Sequence, residues 1–216
     1  MKTLRLFVNS DLTSPINWVM LANDDTTESG SSTFEEIASF TDIVLEVYLN
    51  ASCCSIFKTN VEGISTKRMT EELVLGLIEN SLVDEIDDVK AIILRVEDDI
   101  AYVAVFNRDF YEALMREINN LEKPVRFIQS FVFATTYQEE AWTVFLSNQQ
   151  RFLRTSKYEY YTLDDNKPLP LLLQDLLSEV QPQSLLVYAD EDSGYSIGQI
   201  AKKLELECID VNNQYE

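Results

Sequence analysis

Histidine is absent from all 216 residues. No Ser-His-Asp or Cys-His catalytic pair can therefore form. A metal site would have to be built from carboxylates, in the manner of Mg or Ca sites. Cysteine is scarce, and Cys53, Cys54 and Cys208 make neither a metal-ligand spacing nor an even disulfide framework. Neighbours in a strand point to opposite faces, which predicts one core and one surface residue from Cys53 and Cys54. Such usage suits a reducing compartment. Basic residues are few as well: 17 Lys and Arg face 37 Asp and Glu, a formal charge of −20. That balance excludes a nucleic-acid backbone as partner, because such binding depends on clustered cations releasing counterions. It also disfavours an anionic membrane surface. Long apolar runs are missing; the densest stretches, 73–78 and 131–134, are far too short to span a bilayer. The first ten residues hold no long apolar run and no small-residue cleavage site, so no signal peptide is expected.

What is present is enough apolar material for a core, at 46% of the residues. At roughly 100–200 residues per domain, the length allows one large domain or two small lobes. Leu4, Leu6 and Val8 alternate with Arg5 and Phe7, which predicts a strand over 3–8. A second strand, 16–21, follows a turn containing Ser14-Pro15, and 23–32 reads as a polar loop. Thr33 and Glu36 make a capping box for a short helix over 33–40. Strands follow at 43–49 and 54–60. Thr70 caps a helix over 69–83, with Glu71 and Glu72 at its positive end and Leu73, Leu77, Ile78 and Leu82 as its apolar stripe. Leu77 is thereby expected in the core, and Gly76 implies a close packing neighbour. A hairpin, 89–96 and 100–106, turns at Glu97-Asp98-Asp99; a helix is expected over 109–121, its extension blocked by Pro124, and 125–131 is extended.

The remainder reads as strands 142–147, 151–156 and 158–163, helix 169–180, strand 184–189, helix 196–204 and strand 207–211. Three antiparallel strands followed by parallel strand–helix units are a ribonuclease-H-like order. The first half reads as a degraded copy of it. Two such units make an actin-like architecture of mixed α/β sheets, with expected lobes at 1–133, carrying an inserted hairpin–helix unit, and at 134–216. An actin-like fold that hydrolyses ATP needs glycine-rich hairpins and carboxylates for Mg²⁺. The first hairpin, residues 9–15, has no glycine, and Asp11 reads as a turn aspartate rather than a metal ligand. The second, Ser147-Asn148-Gln149-Gln150, lacks both glycine and acid. Gly194 to Gly198 lies at a strand-to-helix turn, but Asp190, Glu191 and Asp192 beside it would repel phosphate.

Acid pairs are plentiful, as at Asp24-Asp25, Glu35-Glu36, Glu139-Glu140 and Asp164-Asp165, and most flank turns or helix starts, where solvated acids are favoured. Residues 71–99 concentrate ten acids against Lys90 and Arg95. Such a stretch is either a solvated face or a docking surface for a basic partner. The docking reading centres on Glu79, Asp84, Glu85, Asp87 and Asp88. The Tyr158-Glu159-Tyr160-Tyr161 edge is a second candidate anchor, with strand packing as its plain reading.

The segment Glu72-Leu73-Val74-Leu75-Gly76-Leu77-Ile78-Glu79-Asn80, then Asp87-Asp88-Val89-Lys90, is similar to the leucine-rich helix ending in Leu-Glu-Asp found in one protein family. The strand 101–106 follows that family's order, as do the helix with Asp109, Leu114 and Ile118 and the segment 125–131. So do the Trp142 strand, Phe152-Leu153-Arg154 and the helix 171–177. The chain resembles the cytoplasmic domain of the L component of bacterial type II secretion systems. It departs at Leu75, Asn80 and Lys90, where the family often has Pro, Asp and His. The resemblance implies an actin-like fold whose nucleotide site is degenerate, with no cofactor, no metal and no catalytic residue. It further implies a non-enzymatic platform on the cytoplasmic face of the bacterial inner membrane. That platform recruits the secretion ATPase, the E component, through its N-terminal domain, beside other inner-membrane platform components. A membrane anchor and periplasmic part would lie outside these residues, and a homodimer is compatible with the role. Two other classes stay open: an ATP-binding actin-like pilus-assembly protein, and a carboxylate-dependent metal enzyme.

Overall fold

Leu4, Leu6 and Val8 are all closed to solvent, and the strand that carries them lies at the centre of a five-stranded sheet. The structure, a computed structural model, describes residues 2–23, 25–147, 150–163, 173, 177, 182–189, 202, 204 and 206–211. The chain forms two compact units, residues 1–131 and 132–216. In chain order the first holds β1 (Lys2–Val8), β2 (Ile16–Ala22), β3 (Asp25–Ser32), α1 (Phe34–Ala38), β4 (Ile43–Leu49) and β5 (Ser55–Asn60), then α2 (Glu71–Ile78), β6 (Val89–Glu97), β7 (Ile100–Asn107), α3 (Arg108–Asn120) and β8 (Val125–Ser130). The second holds β9 (Ala141–Leu146), β10 (Arg151–Arg154), β11 (Tyr160–Thr162), β12 (Ser184–Ala189) and β13 (Glu207–Asp210).

The main sheet of the first unit runs β3-β2-β1-β4-β8, and that of the second runs β11-β10-β9-β12-β13. Numbered within each unit, both orders are third, second, first, fourth, fifth. In both, the first three strands are antiparallel, and the fourth and fifth join in parallel. This is the ribonuclease-H-like topology that the strand order predicts, present in each unit. β4 is buried along its whole length, so it reads as a near-continuous apolar run, as a central parallel strand does. The exception is Glu46, whose two carboxylate oxygens accept from Arg5 Nε (2.8 Å) on β1 and from Arg126 Nη1 (2.5 Å) on β8. Buried, that charge would be costly without both partners.

The stretch 23–32 is not a loop but, from Asp25 on, the outer strand β3. Its residues, Asp25 to Ser32, are polar or glycine and almost all exposed, so no alternation marks it as a strand. The ladder to β2 alone specifies it. A side chain at Gly30 would meet the Trp18 ring, since a Cβ there would lie 2.8 Å from Trp18 Cζ2. The indole Nε1–H donates to Ser32 Oγ at 3.2 Å. Thr27, the extra residue at a bulge, donates its hydroxyl to the Met20 carbonyl.

Between β4 and α3 an antiparallel sheet, β5-β7-β6, is inserted, with α2 packed on one face. The two-residue loop of its β6–β7 hairpin, Asp98-Asp99, has positive φ at both positions, the conformation a type I′ turn requires. Thr70 caps α2 by accepting from the Leu73 N–H. The helix ends at Ile78, five residues before the expected 83, and Glu79–Ser81 forms a 3-10 turn. Glu79 stands at the negative end of the helix with no basic residue to offset it, which disfavours continuation. The buried stripe is Val74, Leu75 and Ile78. Leu77, expected in the core, is 43% exposed, and Leu73 only half-buried. Gly76 has nothing within 4 Å of a would-be Cβ, so no close neighbour explains it.

Cys53 and Cys54 are both buried. Cys53 lies in a 3-10 turn, Ala51–Cys53, before β5 begins, so strand alternation does not govern the pair. Its Sγ–H donates to the Val8 carbonyl (3.6 Å), and burial pushes the thiol up to about 12. Phe131 is not extended: β8 stops at Ser130, and Phe131–Ala134 is a 3-10 turn. Of the helices expected at 169–180 and 196–204, residues 173, 177, 202 and 204 are helical, and the rest lie outside the described residues, as do Asn148 and the Gly194 turn.

Candidate docking surface

Leu82 and Ile86 are half-buried against the core of the inserted sheet, alongside Val74, Leu75 and Ile78. They anchor both ends of a short arc, Val83-Asp84-Glu85, and Val83 between them is fully exposed. Ile86–Asp88 then makes a second 3-10 turn into β6. The expected site residues are thus brought onto one surface segment: Glu79 in the first 3-10 turn, Asp84 and Glu85 on the arc, Asp87 and Asp88 in the second turn. All five are exposed, and none forms an ion pair among the described residues. A groove of about 410 Å³ opens beside the arc, lined by Phe57, Leu82, Val89, Val105, Phe106 and Phe110, with Val83 and Asp84 also bordering it. Ser10, Ser52, Ser55 and Asn107 also line it, so the groove is mixed, and beside a run of carboxylates it can hold a segment bearing apolar, polar and basic side chains.

Other acids, within this stretch and outside it, have local structural tasks. Glu71, in the first turn of α2, accepts from Lys90 Nζ (2.5 Å) and from the Ala91 N–H (3.1 Å) of β6. Glu72 is held below the usual carboxylate range, first by a backbone N–H at the helix start and then by Thr70. Glu36 closes the capping box of α1 with Thr33, and Glu140 accepts from Gln183 Nε2 (2.5 Å). Among the described residues, no three acids or cysteines converge as a metal site.

The β1–β2 turn is built on Asp11. Its Oδ1 accepts from the Thr13 N–H (2.9 Å) and hydroxyl (2.6 Å), and its Oδ2 from the Ser14 hydroxyl (2.5 Å). Ser14, then Thr13, lower the carboxyl to about 2. The carboxylate serves its own turn, as an Asx turn does, and no glycine amide is available to approach a phosphate. Isothermal calorimetry with Mg-ATP is expected to give no binding heat; micromolar binding would overturn this.

Two sites carry clusters that reading the sequence left unassigned. Glu46 is one. The other is Arg154, 5% exposed, whose guanidinium meets carbonyl oxygens rather than acids: Ser156 from Nε (3.1 Å), Val132 (3.3 Å) and Thr135 (2.8 Å) from Nη1, Lys157 from Nη2 (3.0 Å). The rings of Phe133 and Tyr137 lie 5.5 and 5.2 Å from its Cζ. Of the tyrosine edge, Tyr160 is buried against Phe133, and Tyr161 is 47% exposed.

Compared by sequence, the chain matches no family model and no curated protein. Compared by fold, it matches the cytoplasmic domain of EpsL, an inner-membrane component of the type II secretion system of Vibrio cholerae. The TM-score is 0.73, with 18% identity over 95% of each chain. It also matches a chain of the PilM–PilN type IV pilus biogenesis complex, with a TM-score of 0.66 and 12% identity over 96% of this chain and 88% of that one. No helix among the described residues is long and apolar enough to cross a membrane. The chain has the actin-like, mixed α/β fold of these two proteins along nearly its whole length.

Proposed function

We propose that this chain is the cytoplasmic part of an inner-membrane platform in a type II secretion system, and that it works by binding proteins rather than by catalysis. The observation that carries this reading is the match over 95% of both chains to the cytoplasmic domain of EpsL. Asp11, committed to its own glycine-free turn, supports the absence of nucleotide chemistry. The partner is the secretion ATPase, engaged through its N-terminal domain. The contact is the segment bearing Glu79, Asp84, Glu85, Asp87 and Asp88, with Val83 as an apolar point amid the charge. Complementary charge mainly raises the association rate, and salt screens it over a Debye length of about 8 Å at physiological strength.

Reversing Asp84, Glu85, Asp87 and Asp88 to Lys is expected to slow association with the ATPase N-terminal domain by about tenfold or more at low salt. It should also flatten the salt dependence and leave the circular dichroism unchanged. Surface plasmon resonance at two ionic strengths measures this. Unchanged association by a well-folded variant would remove this segment from the interface. The PilM likeness favours a second reading, a pilus-assembly protein of the same fold. Bound Mg-ATP in the calorimetry above would turn that reading toward its nucleotide-binding form.

A further inference from the structure

Arg108 opens α3, where the positive end of the helix dipole works against a cation. Asn107 supplies the cap by accepting from the Phe110 N–H (3.0 Å), and Asp109 supplies the favourable charge. The Arg108 guanidinium instead turns back to the acidic segment. Its Nε donates to the Asp87 carbonyl (2.9 Å) and its Nη2 to the Val89 carbonyl (2.6 Å), with Glu71 Oε1 at 4.0 Å. Those carbonyls lie on either side of Asp88. The Asp88 N–H donates to the Glu85 carbonyl (3.0 Å), and the Val89 N–H to that of Ile86. The backbone from Glu85 to Val89 is thus tied at four carbonyls, two of them by one side chain from the first turn of α3.

We infer that Arg108 is a positioning residue that holds the acidic turn in the conformation its partner meets. As a docking role, this rests on the reading above; as a latch on the turn, it stands alone. The Arg fork is what the geometry uses, because one planar group reaches two carbonyls, whereas a Lys ammonium is a point charge on a flexible stem. Electrostatic steering and positioning predict opposite signs. Arg108→Gln removes a cation beside the acids, so steering alone would speed association with a basic partner. Positioning requires the association to weaken.

Hydrogen exchange on the full chain and plasmon resonance against the ATPase N-terminal domain test it, using Arg108→Gln and Arg108→Lys. Arg108→Gln is expected to speed exchange of the Asp88 and Val89 amides by about tenfold or more, with β1 and β4 amides as protected as before. Association should be slower despite the added negative charge, and Arg108→Lys should restore only part of either property. Unchanged exchange over 85–89 overturns the latch whatever the partner does. Faster association by Arg108→Gln, with exchange raised, overturns the positioning of the docked form. Failure of the docking reading itself is distinguishable, because the fourfold acid reversal would then leave association untouched while the exchange result still decides Arg108. If Arg108→Gln unfolds β1 and β4, the exchange of Arg108→Lys decides in the same way.

Discussion

Arg154→Met is expected to destabilise the protein by about 3–5 kcal/mol in urea melts. The change keeps an apolar stem of similar length and removes every donor. Four carbonyls, of Val132, Thr135, Ser156 and Lys157, then lose the donor they now share, although that of Val132 keeps the Thr135 N–H and hydroxyl. Each buried polar group left unsatisfied costs about 1–3 kcal/mol, and water can reach some of these, so the total falls short of a simple multiple. Two cation–π contacts go with it. Arg154→Lys should rescue little, since a single ammonium nitrogen cannot reach the carbonyls that the guanidinium addresses from Nε, Nη1 and Nη2. A loss under about 1 kcal/mol would mean that water replaces the guanidinium at no great cost.

Ile78→Ala should cost about 2–5 kcal/mol, as deletions of fully packed aliphatic groups do, whereas Leu77→Ala should change stability by about 0.5 kcal/mol or less. Ile78 is 3% exposed within the core of the inserted sheet, and Leu77 is 43% exposed beside it. Denaturant melts of the two variants separate one helix rotation from the other. If Leu77→Ala cost as much as Ile78→Ala, α2 would have to be turned by roughly one residue on its sheet.

That rotation shows where local pattern stops being informative. Leu73, Val74, Leu75, Leu77 and Ile78 are all apolar, so a helix over this stretch is legible, but two overlapping stripes fit it equally well. Only the sheet beneath selects Val74, Leu75 and Ile78. The five target acids were legible as a dense run, since charge density needs no fold to be seen. Their shared exposure on one short segment, anchored by Leu82 and Ile86, was not. Arg108 was invisible as a partner of that run, because it lies 21 residues from Asp87 along the chain and its ligands are backbone carbonyls, which every residue has.

By itself the sequence determined the strands of both units other than β3, the helices of the first unit, the capping of α1 and α2, the glycine-free turn at Asp11 and the exclusion of histidine chemistry. Each rests on a residue type acting on its neighbours, or on its absence. Tertiary structure alone decided that 25–32 is a strand, since its polar residues carry no period and only the ladder from β2 orders them. It alone completed the third strand of the first copy, and so matched the two units. It buried both Cys53 and Cys54, by placing a 3-10 turn where alternation would have exposed one. And it brought Glu46 between Arg5 and Arg126, and Arg154 among four carbonyls, because contacts between residues far apart in the chain depend on strand register, which local pattern leaves open.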